Sequence, residues 1–268
     1  MQYFGFDRPS FGIKTFGFGA NFDPLDLFKD GKQGVWYDPS DTSTLFQDAA
    51  GTVPVTKDGD PVGLMKDKSG NGNHATQSVS TARPIYKTDN ILHWLKFDGA
   101  DDYMNIALSK ALSSSGELTI AVGIKSSATS AAMIIEQGAS YGTPNAFYLA
   151  DTINSYEYLG RGDRTGISAD TCSVNTGLRN TVIISEQAIN SGVEASLSVN
   201  NLAPSLSSST TFGGGGFGTH DIYIGSRSGN QLMYKGGIHS IVIVDSILSN
   251  DNKAALKNYL ASKSGVTL

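Results

Sequence analysis

Cysteine is nearly absent from this chain: Cys172 stands alone among 268 residues. No disulfide can form within the chain, so the fold must rest on packing and hydrogen bonds, as suits a reducing compartment. Basic clusters are missing as well. Lys and Arg number 20 against 25 Asp and Glu, for a formal net charge of −5 and a pI near 5.3. A nucleic-acid footprint needs Lys and Arg gathered together, and no stretch gathers them. No apolar run approaches the roughly 20 residues of a membrane-spanning helix, so membrane insertion is not expected. The first twenty residues hold neither an apolar h-region nor a small-residue cleavage site, so no secretory signal is expected. Charge of either sign is sparse, at 17% of residues.

What is abundant is glycine, at 31 residues, in a chain whose hydrophobic content of 39% is enough for a real core. With plentiful Ser, Thr and Asn, this composition favours turns and strands over long helices. The stretch Ile91 to Phe97 is apolar on both faces, with Ile91, Leu95 and Phe97 on one and Leu92 and Trp94 on the other. Such a strand is expected at the centre of a sheet, covered above and below. It runs into Asp98-Gly99-Ala100-Asp101-Asp102, a tight turn in which Gly99 supplies the positive φ. Period-2 segments follow in quick succession. Leu118 to Ile124 reads as a half-buried strand, and Met133–Glu136, Ala146–Leu149, Tyr156–Leu159, Thr181–Ser185, Ala195–Val199, Asp221–Gly225 and Gly237–Val244 continue the series. Many short strands with regular turn signals predict an all-β sandwich or barrel. One helix closes the chain, with Ser249 as N-cap, Ala255, Leu256, Tyr259 and Leu260 on one face, and Gly265 at the C′ position.

Residues 1–34 differ from the rest. Phe4, Phe6, Phe11, Phe16 and Phe18 form a spaced Phe-Gly pattern broken by Pro9 and Pro24, with neither helical stripe nor long alternation. Aromatics without a local core must bury themselves against something. The segment reads either as a tail on its own domain or as an arm docking on another subunit. The predicted division is therefore an arm, 1–34, and one β domain, 35–268.

Three ordered stretches resemble the laminin G-like, concanavalin A-like lectin/glucanase superfamily: Asp67 to His74, Leu95 to Tyr103, and Ile222 to Ser226 with Gly236 to Val244 and a short helix beyond. The resemblance covers roughly residues 35–265 and implies a jelly-roll sandwich of two antiparallel sheets. Gly34 to Asp41, Leu45 to Val55 and the ending Tyr259 to Leu268 look more narrowly like bacteriophage and prophage proteins whose sandwich sits on tail or capsid. A virion location would fit the absence of a signal. The resemblance implies a virion structural protein displayed on tail or capsid, anchored by its arm to other virion subunits, present in several copies as a homo-oligomer, and weakly adhesive to a host surface glycan. A tail-fibre receptor-binding lectin is the alternative, and a polysaccharide depolymerase ranks third, because the fold hosts all of these.

Enzymes of that superfamily carry paired carboxylates as Glu-x-Asp-x-x-Glu on a strand. None of Glu117, Glu136, Glu157, Glu186 or Glu194 has an Asp two residues on, so no enzyme is expected. Gly138 to Gly142 fits Gly-x-Ser-x-Gly, yet a β-like run follows where a helix is required, so it reads as a hairpin turn. Gly213 to Gly218 fits Gly-x-Gly-x-x-Gly but leads into a strand, so it reads as a loop. Arg161-Gly162-Asp163 is a tripeptide common by chance. Asp98, Asp101 and Asp102, with Asp67, Asn71 and Asn73, are the candidate ligands of an oxygen-bound calcium; the plainer reading is that they cap turns. The four histidines lack metal-ligand spacing. Trp36, Tyr141, Tyr156, Tyr158 and Phe217 are the candidate sugar-stacking aromatics, subject to exposure.

Overall fold

The computed structural model describes residues 22–108, 112, 116–138, 140, 142–162, 170–188, 195–207 and 216–268. Phe4, Phe6, Phe11, Phe16, Phe18 and Tyr141 lie outside the described residues, as do Asp163, Glu194 and most of the four-glycine run. In chain order the strands are β1 (Gly34–Tyr37), β2 (Leu45–Phe46), β3 (Leu64–Met65), β4 (Ala75–Thr76), β5 (Ile85–Thr88), β6 (His93–Asp98), β7 (Met104–Ile106), β8 (Glu117–Ser126) and β9 (Ala132–Gln137). They continue as β10 (Phe147–Asp151), β11 (Ser155–Gly160), β12 (Asp170–Asn175), β13 (Asn180–Ala188), β14 (Ala195–Val199), β15 (Ser205–Ser207), β16 (Ile222–Ile224) and β17 (Lys235–Val244), before the helix α1 (Asn250–Ser264).

The strands form two antiparallel sheets. One runs β15-β14-β13-β8-β17-β6-β5, with β1 also on β17; the other runs β12-β11-β10-β9-β16-β7-β4-β3-β2. Alternate residues point inward from both, so Leu95, Phe97, Ile120, Val122 and Ile124 meet Met104, Ile135, Leu149 and Ile224 in one sealed core. This is the all-β sandwich the alternation predicts. β17 is long enough to pair with β6 through Lys235–Ile238 and with β1 through Ile241–Val244. Between these halves its register against β8 shifts from Ile238↔Ile124 to Ser240↔Gly123, leaving His239 as the extra residue of a bulge.

A third, partial layer lies on the outside of the β8–β17 sheet. Ser249 Oγ caps the α1 N-terminus by accepting from Asn252 N at 3.2 Å, and Gly265 ends the helix at φ 67°. The helix lays Leu256, Leu260 and Ala261 on Ala121, Val182, Ile184 and Val242. β8 is therefore buried on both faces, not half-buried. The helix approaches so closely that a Cβ on Gly123 would lie 3.2 Å from Leu260 O. Beside it, Pro24–Gly31 forms a 3₁₀ segment capped by Asp23, which tucks Leu27 and Phe28 into the same layer. From Phe22 onward the predicted arm is thus part of the sandwich.

Two expectations change. The strand predicted from Ile91 begins at His93; Ile91 is 83% exposed in a turn where Asp89 Oδ1 accepts from Ile91 N and Leu92 N. Nor is β6 central: it lies between β17 and β5 near the sheet edge, and α1 ends before covering it. Its inner residues Leu95 and Phe97 are core, whereas Trp94 and Lys96 face outward into open space.

Candidate functional site

Of the predicted sugar-stacking aromatics, Trp36, Tyr156, Tyr158 and Phe217 lie among the described residues, and all four are covered by protein. Tyr156, Tyr158 and Phe217 are each at most 2% exposed. They occupy inward positions, where Tyr158 Oη donates to Gln187 Oε1 at 2.6 Å, Tyr156 Oη donates to Leu178 O at 3.0 Å, and Phe217 packs edge-on against Phe147. Trp36 lies outside the core but is covered by the helix, its Nε1 donating to Tyr259 Oη at 3.1 Å and Lys68 Nζ resting 4.7 Å from its ring centre. A sugar cannot stack on rings already sandwiched by protein.

The six predicted calcium ligands do not form one shell. Oxygens of Asp98, Asp101 and Asp102 come within 4.8 Å of one another. Asp102 Oδ2 also accepts from Asp98 N at 2.9 Å, and Asp98 Oδ1 accepts from Ala100 N at 2.7 Å. Burial, with the neighbouring Asp98 charge, pushes Asp102 up to about 7. The other three residues fasten the 67–74 loop to β1. Asp67 accepts from Trp36 N and Asn73 N, while Asn71 and Asn73 donate to Gly34 O. Turn and loop hydrogen bonds engage the side chains of Asp98, Asp102, Asp67, Asn71 and Asn73.

Among the described residues, a groove of about 420 Å3 opens on the outer face of the β8–β17 sheet, beyond the end of α1. Sheet register builds it. Lys87, Trp94 and the bulged His239 form one cross-strand row; Lys96, Gly237, Lys125 and Asn180 form the next. Gly237 is required here, because a Cβ would sit 2.8 Å from Trp94 Cδ1. The half-buried indole therefore leans over Gly237, with the His239 ring 5.6 Å from it, tilted by 39°. Burial first, and the nearby Lys125 charge, lower His239 to about 4, so the imidazole is neutral at neutral pH. Leu92 and Ser264 close the end beneath α1, where Gly265 allows Leu92 to approach.

Four lysines and one aspartate, Asp89, line the groove. Lys87 is held by Asp58, but Lys96, Lys125 and Lys235 have no carboxylate in ion-pairing reach among the described residues. Asp89, the groove's own carboxylate, already accepts two backbone amides. No sequence window could show this basic patch. Its lysines lie far apart in the chain, and only the pairing of β6, β17 and β8 brings them together. The signal that could have found Trp94 was its place on the same strand face as Lys96, a polar neighbour that an inward position would not tolerate.

The outer face of the other sheet carries a buried ion pair. Glu136 there is 2% exposed and receives Arg227 Nε at 2.9 Å on both oxygens. Burial raises its pKa against the pull of Arg227. Ser140, of the Gly-x-Ser-x-Gly match, lies in the turn between β9 and β10, its carbonyl accepting from Thr143 N at 3.1 Å. The histidines are dispersed: His74 Nδ1 accepts from Asp67 N, His93 meets Tyr86 Oη, and His220 meets Pro144 O.

No protein-family model and no curated protein matches this sequence. Solved structures do resemble it. The binding domain of botulinum neurotoxin serotype D is similar at a TM-score of 0.55 and 13% identity, over 73% of this chain and 48% of that one. The serotype D domain solved with N-acetylneuraminic acid gives 0.53 and 14%, over 73% and 48%. An arabinofuranosidase solved with arabinofuranosyl-alpha-1,2-xylobiose gives 0.58 and 11%, over 91% and 65%. The chain spans about half the length of the neurotoxin domains. Its fold is a concanavalin A-like jelly-roll sandwich.

Proposed function

We propose that this protein is a non-enzymatic carbohydrate-binding sandwich borne on the surface of a bacteriophage virion. The observation that carries sugar binding is the half-buried Trp94 indole in a roomy groove rimmed by polar groups. Carbohydrates present apolar ring faces to such aromatics and hydroxyls to the polar rim. Two similar structures point the same way: one neurotoxin domain holds N-acetylneuraminic acid, and the arabinofuranosidase holds arabinofuranosyl-alpha-1,2-xylobiose. A non-enzymatic role is supported by the engagement of Glu136 and Glu157 on the opposite face, the first by Arg227 on both oxygens and the second by Tyr148 Oη. The virion setting, with neighbouring virion subunits and further copies of this chain as partners, rests on the resemblance of Gly34 to Val55 and Tyr259 to Leu268.

A glycan array probed with the full chain and with Trp94→Ala tests the sugar reading. Selective binding by the wild type, reduced at least about tenfold in the variant, is the expected result. Equal binding by both proteins would overturn it. Mass spectrometry of purified particles tests the setting, and absence of the chain from the particle would remove it.

A further inference from the structure

We propose, on the basis of that carbohydrate-binding reading, that the groove selects acidic saccharides, with a sugar ring on Trp94 and its carboxylate between Lys96 and Lys125. Both lysines are direct cross-strand neighbours of Gly237, one on each side. Adjacent strands are about 4.8 Å apart, which places the two Cα atoms roughly 10 Å from each other. The glycine contributes no side chain to that interval, and the Trp94 indole leans into it. A ring resting on the indole thus lies with an ammonium group on either flank. Lys235 stands two residues before Gly237 on the same strand face, directly across from Asp98, which marks the acidic end of the groove.

Charge is what turns a sugar groove into an acid-selective one. Three lysines without ion-pair partners, converging on one groove, run against the composition of a chain with net charge −5. Lys96 and Lys125, which no carboxylate among the described residues meets in an ion pair, are free to meet an anionic ligand. Neutral His239 beneath the indole completes a floor that adds no negative charge. Lysine is a compact point charge and imposes no bidentate geometry. The class is therefore saccharides carrying carboxylates, such as hexuronic acid oligomers, rather than one sugar.

The test is calorimetric titration of the full chain with trigalacturonic acid and with its methyl ester, which keeps the rings and removes the charge. The acid should bind at least about fivefold tighter than the ester. Lys96→Gln with Lys125→Gln should abolish the preference for the acid over the ester, whereas retention of that preference would overturn the assignment of the two lysines. These lysines are exposed, and circular dichroism of the variant verifies the fold. Equal binding of acid and ester, both lost in Trp94→Ala, would overturn acid selectivity while sustaining the carbohydrate reading. Binding of neither ligand, together with an empty glycan array, would overturn both.

Discussion

Asp102 is a residue whose protonation bears on stability. Its carboxyl is buried beside Asp98 and Asp101, and its pKa stands at about 7 against an ordinary value near 3.8. The folded chain therefore holds a proton that the unfolded chain releases between those values. Stability is favoured below the lower value and declines as pH rises through the window. Asp102→Asn keeps an oxygen for the Asp98 amide and removes the repulsion. It should raise stability at pH 8 by on the order of 1 kcal/mol and change little at pH 4. Thermal melts of both proteins across that range measure this; an equal gain at both pH values would exclude a charge effect. The tryptophans teach a related lesson at the same scale. Trp36 and Trp94 look alike in sequence, and Trp36, beside Tyr37 in a short strand, is the one a reader selects for sugar stacking. Which indole faces solvent depends on where α1 ends, a fact that neither local sequence contains.

The elements most legible in the sequence are those with local signals. Ser249 and Gly265 mark α1 because capping is settled within a few residues. The long strands β8, β13 and β17 announce themselves by β-branched alternation. β12 does not, because Thr171, Ser173 and Asn175 on its exposed side dilute the pattern, and β2, β3 and β4 have two residues each, too few for any period. The 3₁₀ segment after Asp23 was hidden by Pro24, which reads as a breaker yet occupies the first helical position. Gly34 to Asp41 and Tyr259 to Leu268, far apart in the chain, touch in the fold. Asp38 receives Lys263 Nζ at 2.8 Å and Tyr259 Oη at 3.0 Å, and Ser40 Oγ receives Lys263 Nζ at 2.7 Å. Burial pushes the Asp38 carboxyl up, but Lys263 and Ser40 more than offset it, leaving it below its usual value. Its contribution is present above pH 4 and lost on acidification. Asp38→Ala should cost about 2 kcal/mol at pH 7, most of it from leaving Lys263 and Tyr259 without their partner. Urea titration measures it; a cost that persists unchanged at pH 2.5 would mean packing, not charge, fastens α1.

At the scale of the molecule, the general sandwich was readable and the groove was not. The groove is a product of register: Lys96, Lys125 and Lys235 become neighbours only when β17 lies between β6 and β8. The same strand decides how the chain unfolds. β17 pairs with β1 near the start of the described sandwich and carries Val242 and Val244 beneath the helix, while its Ile238, Ile241 and Ile243 enter the core between the sheets. Chains of this length commonly lose two-state behaviour, and an outer layer is the natural part to come away first. Here the outer layer is seated on the central strands β8, β13 and β17, so exposing it uncovers Ala121, Val182 and Val242 at once. The expectation is one cooperative transition. Trp94→Phe leaves Trp36 as the sole tryptophan, placed against Tyr259 in that layer. Its fluorescence in guanidinium should change at the same midpoint as the far-ultraviolet dichroism of the whole sandwich. An earlier fluorescence midpoint would mean that α1 and the 3₁₀ segment peel away on their own. The groove would then lose its Ser264 wall before the sheets open, and acidic saccharide binding would fail ahead of global unfolding.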